Sequence, residues 1–281
     1  MMNSREYALQ ANGSFALPDA CLKIKALMED ESSGISDFAD VISVDPSMTS
    51  RLLQIANSAI YSFPGEISTI SRAITIIGTQ AIYNMMLVDV TASAFKHFAN
   101  QAIDLKRFWR MSIYCGLVTK NLAIKAGIKD IERLFVAGLL QNFGELLVAK
   151  ISPEVAQRCE KYNRDNLPWD LQELALGFTY TDISAELLKI WQLPEKIIIP
   201  IRHFNQAKSN QINKDVKVLN LASRLALLDS HADEFDYDVL IDQSLCKSLG
   251  LSTEDIDQVA KIAAEDAVDI LTVMNPKLFS K

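Results

Sequence analysis

An all-α fold is predicted by three features of the chain. Apolar residues recur at three-to-four spacing almost everywhere, and no stretch alternates apolar and polar residues long enough for a strand. Turn formers are also sparse, with 10 Gly and 8 Pro among 281 residues. A hydrophobic fraction of 49% and a charged fraction of 22% fit a folded globular chain and exclude disorder over most of its length. The length suits one large domain or two ordinary ones.

The elements follow in order. Ile35, Phe38, Val41 and Ile42 share one helix face, and Asp45-Pro46 stops that helix. Pro46 suits the first turn of the next helix, where a missing N–H costs nothing. Met48, Leu52, Ile55, Ala56 and Ala59 carry that second pattern to Tyr61, and Pro64-Gly65 is a turn. Further helices are expected at about 18–30, 71–77, 79–98, 105–126, 131–141, 153–164, 169–176, 181–192, 194–204, 215–228 and 253–273. The polar segment 205–213 reads as a linker or exposed loop, and the acidic segment 229–238 as a second. No fixed-period repeat is present, so a solenoid is not expected.

Charge narrows the partners. With 28 basic against 35 acidic residues the net charge is −7, a field that opposes binding to nucleic-acid phosphates or anionic lipid. Neither nucleic acid nor membrane is expected as a partner. Lys120, Lys125, Lys129 and Arg133 form the densest basic set and read as a solvated face near a helix end. No apolar run approaches the ~18–20 residues that span a bilayer; the richest stretch, 83–95, is interrupted by Asp89. Residues 1–12 lack the basic and apolar regions of a secretory signal. Cys21, Cys115, Cys159 and Cys246 are isolated, which predicts buried reduced thiols in a cytoplasmic protein rather than a disulfide or zinc framework. Trp109, Trp169 and Trp191 fall on separate helices and read as core anchors.

Generic catalytic signatures are missing: no phosphate-binding glycine loop, no H-E-x-x-H, no G-x-S-x-G. Glu234, Asp236 and Asp238 alternate as calcium ligands do, but an EF-hand needs Gly and Glu where Val239 and Leu245 stand. The only histidines are His97, His203 and His231, too few and too scattered for a helical metallohydrolase. His97 reads as a contact to a helix C-terminus, and His231 as exposed in the acidic loop.

Several spaced landmarks nevertheless agree at once. Leu17-Pro18, Asp45-Pro46, Leu52-Leu53, Asn57-Ser58-Ala59, Tyr61, Ile67-Ser68, Ala73-Ile74 and Gly78 form one block. Phe108-Trp109-Arg110, Ala137-Gly138-Leu139-Leu140, Gly144, Trp191, Leu193-Pro194 and Ile201-Arg202-His203 extend it. Over roughly 17–228 the chain resembles the HDOD (HD-related output domain) family, which is similar to HD-type metal-dependent phosphohydrolases. The resemblance implies a multi-helical fold with a helical subdomain at 17–78, a degenerate HD-like half at 79–228, a tail at 1–16 and a helical extension at 229–281.

Carried over by position, the metal site is largely erased. The first ligand His falls on Met111, and the His-Asp pair on Gln141-Asn142. The basic residue that often follows the motif's glycine is Glu145, and a later His falls on Tyr180. A His-His pair falls on His203-Phe204, and the last ligand Asp near Ser223. Thioether and neutral amide groups are poor holders of a cation that must acidify water. No catalytic residue, metal or cofactor is therefore expected. Taken singly, Met111 reads as core filling, Gln141 and Asn142 as a helix terminus ended by Gly144, and His203 as a rim histidine. Asn57 and Ser58 read as a helix-end bridge that could line a groove.

The resemblance implies a non-catalytic signalling module that works through protein–protein contact. Two alternatives stay open. One is a divergent phosphohydrolase for nucleotides or cyclic dinucleotides, with His203 and acids such as Asp89, Glu145 or Asp182 as ligands. The other is a sensor of a small neutral ligand in the pocket of Met111, Gln141, Asn142 and Tyr180.

Overall fold

The structure, a computed structural model, describes residues 2–12, 19–44, 46–57, 65–83, 86, 102–209 and 211–274. All regular elements among the described residues are helical, as the spacing predicts. The chain forms two compact units: Met1–Ser14 with Phe98–Ala264, and Phe15–His97 with Glu265–Lys281.

The smaller unit holds α2 (Asp19–Glu29), α3 (Ile35–Ser43), α4 (Pro46–Ala56) and α5 (Ile70–Ile77). In α3 the predicted stripe buries Phe38 and Ile42, while the Asp37 carboxylate accepts from the Gly34 N–H at 2.7 Å and closes the first turn. Thr69 caps α5 by accepting from the Arg72 N–H. That helix ends at Gly78, whose φ of 86° is open to glycine. Met48, Leu52 and Ala56 of α4 are buried, as the pattern requires. Residues 84, 85 and 87–98 of the expected helix 79–98, with Asp89 and His97, lie outside the described residues, as do Ser58, Ala59 and Tyr61.

The larger unit is organised on α6 (Leu105–Lys125), capped by the Asp104 carboxylate, which accepts from the Lys106 and Arg107 N–H groups. Helix α6 buries Phe108, Ile113, Leu117, Val118 and Leu122. It packs on α7 (Glu132–Leu140) and on α13 (Lys214–Ser230). The α6–α7 approach is close because Gly138 has no side chain: a Cβ there would meet the Thr119 hydroxyl at 2.6 Å and the Cys115 carbonyl at 2.8 Å. The unit continues with α8 (Phe143–Ile151), α9 (Pro153–Cys159), α10 (Pro168–Leu176), α11 (Tyr180–Ile190) and α12 (Glu195–Arg202). After α13 come α14 (Tyr237–Leu240), α15 (Gln243–Leu249) and α16 (Thr253–Met274), the last counted with this unit as far as Ala264.

Four differences from the sequence reading have physical causes. Gly144 does not end a helix; it lies inside α8, which the sequence reading lacks altogether, because its missing side chain serves packing and not a left-handed turn. Residues 4–12 are no tail: they form α1 (Ser4–Asn12), which buries Tyr7 and Ala8 and ties the Tyr7 hydroxyl to Ser152 at 2.9 Å. The helix expected over 153–164 stops at Cys159, freeing Glu160 and Tyr162 to turn inward. Finally, Glu132–Ile151 is long and apolar enough for a membrane span by composition, with 78% of its best window buried. It is two helices meeting at Gln141 and Asn142, and their apolarity is that of a core.

All four cysteines are free and buried, as expected. Three of the four basic residues are ion-paired rather than merely solvated: Lys120 meets Glu132 at 2.9 Å, Lys125 meets Asp255 at 3.0 Å and Arg133 meets Asp215 at 2.8 Å. Trp109 and Trp191 are buried anchors, whereas Trp169 is half-buried beneath the Arg224 guanidinium, 4.9 Å from the ring centroid.

Candidate functional site

Five of the six positions carried over from the HD pattern line one cleft of the larger unit: Met111, Gln141, Asn142, Tyr180 and Ser223. Helix α6 brings Met111 and, one turn earlier, Arg107 to the same face. The end of α7 supplies Gln141, whose side-chain amide reaches Ser223 of α13 at 3.4 Å. Tyr180 starts α11 beneath α8, its backbone N–H donating to the side-chain Oε1 of Gln172 at 2.9 Å. The cavity measures about 40 Å³. At ~10–15 Å³ per enclosed water that is space for roughly three waters.

His203 is not among the lining residues. It follows α12 as its C-terminal cap, half-buried, with Nδ1 unpartnered. Asn57 is a brace: its Oδ1 accepts from the Ile67 N–H at 2.7 Å, and its Nδ2 donates to the Leu53 and Ile67 carbonyls at 2.7 and 2.8 Å. It borders a shallow groove with Ser50, Gln54 and Glu66, but these bonds already engage its amide. Ser58 lies outside the described residues.

The chemistry of the cleft is set by a residue that the sequence reading passed over. Arg107 sends Nη2 to Glu145 Oε1 at 2.8 Å and to Glu160 Oε1 at 2.9 Å. Its Nη1 donates to Glu160 Oε2 and, at 3.0 Å, to the Tyr162 hydroxyl. Asn142 donates to the second oxygen of Glu145. Burial pushes the Glu145 carboxyl up to about 7, although Arg107 pulls the other way. Burial also works against the Arg107 charge, and Glu145 and Glu160 more than offset it. The Tyr162 hydroxyl, which accepts from Arg107, also shares a hydrogen bond with His231 Nε2 at 3.1 Å. His231 is therefore not an exposed loop residue. It sits edge-on to Tyr162 and Phe235, and desolvation, with Arg107 nearby, lowers its pKa.

One signal for this cluster exists in the sequence. Glu145 stands where the family pattern often has a basic residue, and a buried carboxylate demands a cation. Arg107, four residues before Met111, is on the right face to supply it.

The resemblance to HD-type hydrolases implies a divalent metal here, and these residues do not fit one. The positions of the expected ligands offer a thioether, two neutral amides and two hydroxyls. The cleft's two carboxylates both face a guanidinium, a fixed positive charge that would repel a metal. The acids named for a divergent site do not join in. Asp182 caps α11 by accepting from the Thr179 N–H and hydroxyl, both at 2.8 Å, and Asp89 lies outside the described residues. Among the described residues no group of three or more His, Cys, Asp or Glu side chains is placed to hold a metal.

Comparison with known proteins gives the setting. The family model for the HDOD domain matches residues 15–207. An uncharacterized protein of Treponema pallidum (strain Nichols) is 26% identical over 193 residues, covering 67% of this chain, which spans only 37% of that protein. Three solved structures share the fold. A protein from Shewanella amazonensis SB2B, described as a candidate phosphohydrolase, has TM-score 0.72 at 21% identity and covers 95% of this chain and 98% of its own. A candidate signal transduction protein from Marinobacter aquaeolei VT8 has TM-score 0.72 at 20% identity, over 99% of this chain and 66% of its own. An HDOD domain protein of unknown function from Geobacter sulfurreducens has TM-score 0.71 at 20% identity, over 99% of both chains.

Proposed function

Since the chain belongs to the HDOD domain family, we propose that it is a non-catalytic regulatory module of cytoplasmic signal transduction, working through contacts with other proteins. The observation that carries this reading is the placement of Arg107. A permanently charged guanidinium engages the two carboxylates of the cleft in which HD hydrolases would hold their metal. A buried ion pair of this kind fixes a shape but cannot acidify a water or polarise a phosphate as a metal does. The signal transduction protein of Marinobacter aquaeolei with the same fold is in keeping with the regulatory half of the reading.

The test is an assay of the purified chain with Mn²⁺, Mg²⁺ or Fe²⁺ against cyclic dinucleotides, cyclic mononucleotides and p-nitrophenyl phosphate. No turnover above the blank is expected. Hydrolysis that tracks the protein peak through two chromatographic steps would overturn the reading. For the partner, cross-linking in the native cell is expected to give a stoichiometric complex with another signalling polypeptide.

A further inference from the structure

The cleft contains more unmet hydrogen-bonding capacity than a folded core tolerates. Four side chains that wall it leave a buried polar atom without a hydrogen-bond partner: the Ser112 hydroxyl, Gln141 Oε1, the Tyr180 hydroxyl and Arg107 Nε. Ser112, Gln141 and Tyr180 are only 3%, 6% and 2% exposed, so bulk water does not satisfy them. The Tyr180 hydroxyl has just the weakly bonding Cys159 thiol beside it. Buried polar groups are almost always paired, and four orphans on one small cavity call for an occupant.

The character of these atoms narrows the occupant. They comprise one obligate donor (the Arg107 Nε–H), one obligate acceptor (Gln141 Oε1) and two hydroxyls that serve as either. None is an unpaired charge, because the rest of the guanidinium is committed to Glu145, Glu160 and Tyr162. A phosphate would find no free cation and would face two carboxylates. A neutral molecule with a carbonyl to accept and N–H groups to donate complements the set. The flanking Phe108, Met111 and Trp169 offer flat or soft apolar surface to a planar one.

We propose that this cleft is a receptor site for a small uncharged ligand of amide or urea type, and that its occupancy is the input to the regulatory module. The proposal rests on the metal-free reading of the site given above, and its test does not involve turnover. Isotope-labelled full-length protein would be titrated with acetamide and with N-methylurea, and separately with glycerol and sodium phosphate, while the amide spectrum is followed. Saturable shifts centred on Ser112, Gln141 and Tyr180 with the amide probes, and none with phosphate, are expected. A Ser112→Ala/Tyr180→Phe double variant, shown by circular dichroism to be folded, should weaken amide binding at least tenfold.

Three outcomes would overturn the proposal. The first is the absence of saturable shifts with either amide probe. The second is preference for phosphate or glycerol over the amides. The third is a folded double variant that binds the amide probes as tightly as the parent. Hydrolytic turnover in the separate assay would sink the regulatory reading whatever these titrations give.

Discussion

A Cβ on Gly144 would lie 2.2 Å from the carbonyl oxygen of Tyr180, so α8 and α11 meet backbone to backbone at that point. The Gly144 N–H donates to the Ser184 hydroxyl at 2.8 Å, and that hydroxyl donates to the same Tyr180 carbonyl at 2.9 Å, closing the joint.

Gly144→Ala must therefore push two helices apart, because the obstructing atoms belong to the main chain. Overpacking of this kind costs about 1–3 kcal/mol, and the upper end is expected here. Denaturant unfolding should show it as a lower midpoint, and an unchanged midpoint would count against the joint.

Arg107→Met leaves Glu145 and Glu160 facing each other in a buried site. Removing one partner of a buried ion pair costs about 3–5 kcal/mol. Adding Glu145→Gln and Glu160→Gln to that variant should recover most of the loss. The recovery, measured as a coupling energy in a mutant cycle, separates charge stranding from lost packing.

Two groups in the cluster impose opposite pH slopes. The Glu145 carboxyl titrates at about 7 in the folded protein, above its ordinary value of 4.5. Between those values the folded state holds the extra proton, so stability contributed by this group falls as pH rises from about 4.5 to 7. His231 is lowered from 6.5, so it contributes stability that is present above that value and is lost as pH falls through its folded pKa. Urea unfolding from pH 4.5 to 8 should show Glu145→Gln losing the first slope and His231→Gln losing the second.

Asn57→Ala removes two bonds that tie the end of α4 to Ile67, before α5, and a third back to the Leu53 carbonyl of α4 itself. The unmatched Ile67 N–H and carbonyl should cost about 1–2 kcal/mol at this partly exposed place. Faster amide exchange at Ile67, with no change in the cleft's resonances, is the expected signature.

How much of this could be read from the sequence depends on the range of each interaction. Helix faces such as Ile35, Phe38 and Ile42 are local, and their spacing alone places them. The convergence of Met111, Gln141, Asn142, Tyr180 and Ser223 came from a family pattern and not from spacing, since these positions are far apart along the chain. The Arg107 cluster joins partners 38, 53 and 55 residues distant, so apart from Glu145's place in the family pattern and the four-residue step from Arg107 to Met111, nothing in the sequence marks it. Gly144 is ambiguous in the sequence for a related reason. A glycine that permits close approach and one that ends a helix look alike until the opposing backbone is known. His231 was misplaced because its acidic neighbours suggested solvent, while Tyr162 and Phe235 hold its ring from elsewhere.

The shielding of Arg107 has a consequence for how the protein meets its surroundings. Its side chain is 17% exposed, and those of Glu145 and Glu160 are 7% and 23% exposed, so dissolved ions reach the cluster poorly. The bond that fastens the segment after α9 onto α6 should then feel osmotic swings far less than the surface pair Arg164–Asp236, exposed to 56% and 62%. A cell moving between dilute and saline conditions would find the interior of this cleft unaltered while exposed pairs such as Arg164–Asp236 loosen.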